Sequence, residues 1–150
     1  MISNFHTHTY LCNHAEGAIM DYIQVAQSAS CVALGFSDHC PYPLDDRDTW
    51  PEIRMKSDQL LFYVSEINSK KNIASFPLYV GLECEWDEYY YKWLDTLKKD
   101  FNLDYLVFGS HWLTLKKNNK IIHKYVPTIS AFDEFKLYIN QTMFLHRQSD

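Results

Sequence analysis

Four short apolar runs, at residues 2–5, 32–36, 76–82 and 103–108, alternate along the chain with longer segments whose apolar positions recur at helical spacing. Residues 17–30 place Ile19, Ile23 and Ala26 on one stripe. Residues 57–73 do the same with Leu60, Leu61, Val64 and Ile67, and residues 87–101 with Trp93, Leu94 and Leu97. Strands that alternate with helices imply parallel pairing through right-handed crossovers, so an α/β fold is expected. Residues 40–52, with Pro41, Pro43 and Pro51, read as a loop, and residues 116–124 as turn-like. A last helix is expected to open at Ser130, capped by its side chain with Glu134 on the acidic side of a capping box, and to continue past Tyr138. Four strands are too few to close a (β/α) barrel, which takes roughly 200 to 250 residues. The sheet is therefore read as open, or as part of a barrel.

The chain has 150 residues, 47% of them hydrophobic, which excludes a disordered polymer and leads us to expect one domain over residues 1–150. No apolar run approaches the roughly 18 residues of a membrane span. The first residues show neither the basic start nor the apolar stretch of a secretory signal, so a cytoplasmic location is expected. A net charge of -5 without a Lys/Arg stripe argues against nucleic acid as a partner. Cys12, Cys31, Cys40 and Cys84 form no CxxC pair and read as small core residues, with Cys12 and Cys40 close to candidate ligands.

The polar residues that close the apolar runs change the picture most. In an extended segment His6 and His8 point the same way, a spacing suited to gripping one cation, and His14 follows in the next loop. The second run delivers Asp38 and His39, the imidazole as candidate ligand and Asp38 as a residue that orients a neighbouring ring from behind. The third ends in Glu83, a candidate bridge between two metals, with Glu85 on the same face but further out and expected to be solvated. The fourth delivers His111. Residues at successive parallel strand ends converge on one rim, so the pattern points to a metal centre.

The stretches HTHTYLCNHAEG, GFSDHCP, GLECEW and FGSHW, in this order and spacing, resemble the PHP (polymerase and histidinol phosphatase) superfamily, and its histidinol-phosphate phosphatase branch in particular. The likeness is strongest over residues 1 to 115. It implies a distorted (β/α), TIM-like barrel, of which this chain would supply about four parallel strands with their helices. It also implies up to three divalent metals, zinc, iron or manganese, and hydrolysis of L-histidinol phosphate to L-histidinol and phosphate in histidine biosynthesis. Carried over position by position, His6 and His8 match ligands of a first metal and Glu83 a carboxylate shared with a second. His111 matches a ligand of the second, and His14 with His39 ligands of a third. The nucleophile expected for such chemistry is a metal-bound hydroxide, and no leaving-group acid is identified among the residues.

No counterparts of the family's later ligands stand out, and His123 and His146 are expected to be exposed. The chain is thus expected to be the amino-terminal portion of such an enzyme, loaded with fewer metals and weakly active. Its fourth strand is expected to form an open edge prone to self-association. The rival readings are a PHP nuclease, a phosphotyrosine phosphatase and an inactive remnant. Arg47 and Arg54 are candidates for phosphate contact and Trp112 for a substrate wall, whereas Tyr89, Tyr90, Tyr91 and Trp93 read as packing residues.

Overall fold

The computed structural model describes residues 2–43, 50–85, 90–109, 111–117 and 120–125. Strands β1 (Ile2–Asn4), β2 (Cys31–Phe36), β3 (Leu78–Glu85) and β4 (Tyr105–Gly109) form one parallel sheet in the order β1-β2-β3-β4. Helices α1 (Ile19–Ser28), α2 (Leu60–Lys70) and α3 (Tyr91–Asp100) fill the three connections. The expected strand–helix alternation is the observed one, and the arrangement is that of a partial (β/α) barrel.

Local chemistry sets the helix ends. Gly17, at φ 87°, turns the chain into α1, where the Asp21 carboxylate accepts the Ala18 N–H at 2.8 Å. Before α2 the Gln59 side-chain oxygen accepts the Lys56 N–H at 2.8 Å. The buried stripes are Ile19, Ile23 and Ala26 on α1, and Leu60, Tyr63, Val64 and Ile67 on α2. Leu61, expected in the second stripe, is exposed, because the adjacent Leu60 and the following Tyr63 and Val64 already fill the inward arc. On α3, Leu94 and Leu97 are buried and Trp93 packs beside them.

On β3 the residues alternate. Leu78, Val80, Leu82 and Cys84 belong to the apolar core with these stripes. Tyr79, Gly81 and Glu83 take the other face, where Phe5 packs 5.3 Å from the Tyr79 ring and 5.7 Å from that of Tyr105. The Tyr105 ring lies flat over Gly81, where an added Cβ would sit 2.6 Å from it, and its hydroxyl donates to the carbonyls of Phe5 (2.8 Å) and Phe36 (3.0 Å). A single side chain from β4 thus ties together the ends of β1 and β2. Among the described residues β1 and β4 are the sheet's outer strands.

The chain groups into two compact units, Met1–Cys84 with Tyr89–Val107, and Glu85–Glu88 with Phe108–Asp150. Within the second, β5 (Trp112–Lys117) and β6 (Lys120–Tyr125) pair antiparallel, with Thr114 opposite His123. The turn-like reading of residues 116–124 is corrected here. Residues 116, 117 and 120–124, His123 among them, lie on these strands, because β-branched and aromatic residues flank the Asn118–Asn119 pair in the sequence. The helix expected from Ser130, together with His146, Arg47 and Tyr89, lies outside the described residues. Among the described residues no helix is long and apolar enough to cross a membrane.

Candidate metal centre

Backbone pairing carries the sheet past its last regular residues and so assembles the rim. The Ser37 N–H donates to the Thr7 carbonyl at 2.9 Å, the Glu83 N–H to Asp38 at 3.0 Å and the Cys40 N–H to Glu83 at 2.8 Å, which sets His39 beside Glu83 in a parallel bridge. Three imidazole nitrogens converge on one oxygen, Glu83 Oε2: His8 Nε2 at 3.0 Å, His6 Nε2 at 3.1 Å and His39 Nδ1 at 3.3 Å. The His14 ring stands 5.0 Å from that of His8 and 4.9 Å from that of His39. Five of the six expected ligand residues therefore meet in one unit. The sixth, His111, belongs to the other, where its backbone N–H donates to Glu85 Oε2 at 3.3 Å and its Nδ1 pairs with Glu85 Oε1. The expectation that Glu85 is merely solvated is corrected by that pairing.

Glu83 and His39 are buried, and the cluster is electrically strained. Glu83 is only 3% exposed, and burial alone would raise its carboxyl, yet bonding to His8, the field of His39 and bonding to His6 hold it down at about 2. Burial opposes charge on His8 as well, but the neighbouring Cys12 and Glu83 outweigh it and lift that imidazole to about 9. His39 goes the other way, down to about 3, because burial outweighs the pull of Glu83 and the positive charges of His8 and Arg54 add to it. One carboxylate supports one imidazolium, on His8, and the His39 ring is held neutral, the form in which an imidazole binds metal.

The surroundings fix these positions. Asp38, fully buried, accepts from the backbone N–H (2.5 Å) and hydroxyl (2.6 Å) of Thr9, so it acts on His8 through the next residue in the chain. Burial raises its carboxyl and the two Thr9 bonds pull it back. The Tyr63 hydroxyl donates to the Gly81 carbonyl at 2.9 Å and accepts the Asp38 N–H at 3.3 Å. Arg54 is buried, its guanidinium 4.6 Å over the Tyr42 ring and 3.4 Å from the Cys40 carbonyl, while its own carbonyl accepts from the Asn13 side chain at 2.9 Å. Helical and strand periodicity give no hint of Thr9 or Tyr63, whose polar contacts cross elements. Trp112 starts β5.

Two sets of donor atoms among the described residues lie within 4.8 Å of one another, His6 with His8 and Glu83, and His8 with Cys12 and His14. A metal fits the first set on the chemistry of the donors, two imidazole nitrogens and a carboxylate oxygen.

The chain is similar over 110 residues, at 33% identity, to a Deinococcus radiodurans protein named "Probable histidinol-phosphatase", the match covering 72% of this chain and 41% of that protein. Its fold matches, with a TM-score of 0.66 and 16% identity, the crystal structure of a Listeria monocytogenes protein titled "putative histidinol phosphatase", over 89% of this chain and 52% of that one. The matched region thus spans about half of each relative. The PHP domain model matches residues 4–145, nearly the whole chain, and the chain belongs to the PHP domain family.

Proposed function

We propose that this chain carries the metal-binding rim of a phosphomonoester hydrolase whose substrate is L-histidinol phosphate. The observation that carries the reading is the convergence of His6, His8 and His39 on one oxygen of buried Glu83. The names of the two relatives support the substrate, and the acidic balance of the chain supports a small phosphate ester over a nucleic acid.

In this reading His6, His8 and Glu83 hold one divalent cation, and His14 and His39 serve another. His111 is a further ligand: a carboxylate on its Nδ1, supplied by Glu85, fixes the tautomer whose Nε2 carries the lone pair. When bound, such cations polarise phosphoryl oxygens and bring the pKa of water toward neutrality. The chain's own residues do the rest of the positioning. Glu83 holds three imidazoles to one point, Asp38 locks the loop after His8 through Thr9, and Arg54 adds fixed positive charge beside His39. That charge suits a phosphate dianion arriving at the rim.

Phosphate release by the purified chain from histidinol phosphate, phosphotyrosine and a phosphodiester tests the proposal. Expected is hydrolysis of histidinol phosphate above the other two, lost on chelation and restored by zinc, iron or manganese. Turnover that survives exhaustive chelation, or that is confined to the diester, would overturn it.

A further inference from the structure

We propose that Cys12 is a metal ligand at the cation His14 serves, its sulfur joining one nitrogen each of His8 and His14 in a sulfur-bearing group that takes zinc or cadmium in preference to manganese or magnesium. The inference rests on the metal-dependent reading above and specifies its metal class.

The geometry comes from the loop after β1. Thr9 caps the short turn Tyr10–Cys12, its hydroxyl accepting from the Leu11 N–H at 3.3 Å, and the turn folds the chain back so that Cys12 lies beneath the histidines. Asn13 follows at φ 59°, a left-handed conformation that Asn tolerates and that brings His14 round to the same side. Cys12 is fully buried, with its sulfur 3.0 Å from the Thr9 carbonyl. His14 Nδ1 lies 3.2 Å from the Cys12 carbonyl, so it is the N–H side of that ring, and Nε2 holds the lone pair.

The His8 ring connects the two donor sets. Its Nε2 is committed to Glu83 at 3.0 Å, and its Nδ1 is the buried nitrogen without a partner. On one side the chain therefore offers a carboxylate and imidazoles, which suit harder cations. On the other it offers a thiol and imidazoles, the set that selects zinc and its softer congeners. Cys84 points with Leu82 toward the helices, and neither it nor Cys40 joins a donor group among the described residues. Near neutral pH two protons leave to solvent on binding, one from the Cys12 S–H and one from the His8 imidazolium, and the sulfur and the freed ring nitrogen each use the lone pair so exposed to bond the cation. The bland alternative is that Cys12 is a small core residue whose S–H serves only the Thr9 carbonyl.

The full chain, purified with reductant, stripped by chelation and reloaded with zinc, is examined by X-ray absorption, and a cobalt-loaded sample by near-ultraviolet spectroscopy. The expected result is a zinc–sulfur distance of about 2.3 Å beside nitrogen or oxygen at about 2.0–2.1 Å, and a sulfur-to-cobalt charge-transfer band. Both signals should vanish in Cys12→Ser, whose zinc affinity should fall by about tenfold or more while manganese affinity holds. A nitrogen/oxygen-only shell in the wild-type chain, or a sulfur signal that persists in Cys12→Ser, would overturn the inference and leave the metal-dependent reading standing. No metal binding at all would remove both. Should Cys12→Ser fail to fold, Cys12→Ala replaces it, and the wild-type shell alone still decides against the inference if it lacks sulfur.

Discussion

The two faces of β3 are built on different principles. Leu78, Val80 and Leu82 meet the helices through volume, and many apolar residues of similar size would serve there. Tyr79, Gly81 and Glu83, one residue out of phase, depend on register and close approach: a ring lies on Gly81, and three imidazoles meet one oxygen of Glu83. The first face stabilises the fold, whereas the second draws on that stability to hold buried polar groups together. Damage to the two faces should therefore register in different measurements.

The largest stability effect belongs to the helix-packed face. Leu82→Ala removes a fully buried side chain and should cost about 2–5 kcal/mol in chemical denaturation while leaving metal stoichiometry unchanged in the folded protein. Loss of metal at constant fold would show that the faces are not separable.

Next comes the pH dependence of the metal-free protein. Glu83 is depressed from 4.5 to about 2 and His39 from 6.5 to about 3, so the unfolded chain binds more protons than the folded one in acid. Their contributions are present above those ordinary values and are lost as pH falls toward 3 and 2, with Glu83 alone worth roughly 3 kcal/mol. His8, raised from 6.5 to about 9, acts oppositely: its contribution is full below 6.5 and is lost as pH rises through 9. Thermal midpoints of stripped protein should therefore peak near pH 6.5 and decline on both sides. A flat profile across that range would contradict the buried charge cluster.

Smaller effects probe the close approaches. Gly81→Ala pushes a Cβ to 2.6 Å from the Tyr105 ring and should cost about 1–3 kcal/mol, a loss that Tyr105→Ala in the same chain should partly relieve. Tyr63→Phe removes the hydroxyl that joins Gly81 to Asp38 and should cost about 1 kcal/mol. An additive Gly81/Tyr105 pair would argue that the ring does not rest on the glycine.

These contrasts also explain what the chain's residues disclosed in advance. The strands, the helices and the rim ligands follow from periods of 2 and 3.6, because His6 and His8, His39 and Glu83 each end an apolar run and parallel pairing aligns run ends. The β5–β6 hairpin is less legible, since Asn118 and Asn119 signal a turn but only pairing reveals how far the strands extend. Tyr105 over Gly81, Thr9 on Asp38 and Glu85 with His111 join residues from different elements, and such contacts leave no periodic trace. Leu61 shows the limit of a stripe read by spacing, because more apolar positions fit the pattern than the core admits.

The assembly of imidazoles around Glu83 is tested most directly by metal content. The purified chain, reloaded with manganese and desalted, should retain at least about one equivalent by elemental analysis, and Glu83→Gln should lose it with affinity falling about 100-fold or more while circular dichroism stays unchanged. Equal metal content in the folded wild-type and Glu83→Gln proteins would mean that the three histidines do not meet at that carboxylate to hold a cation.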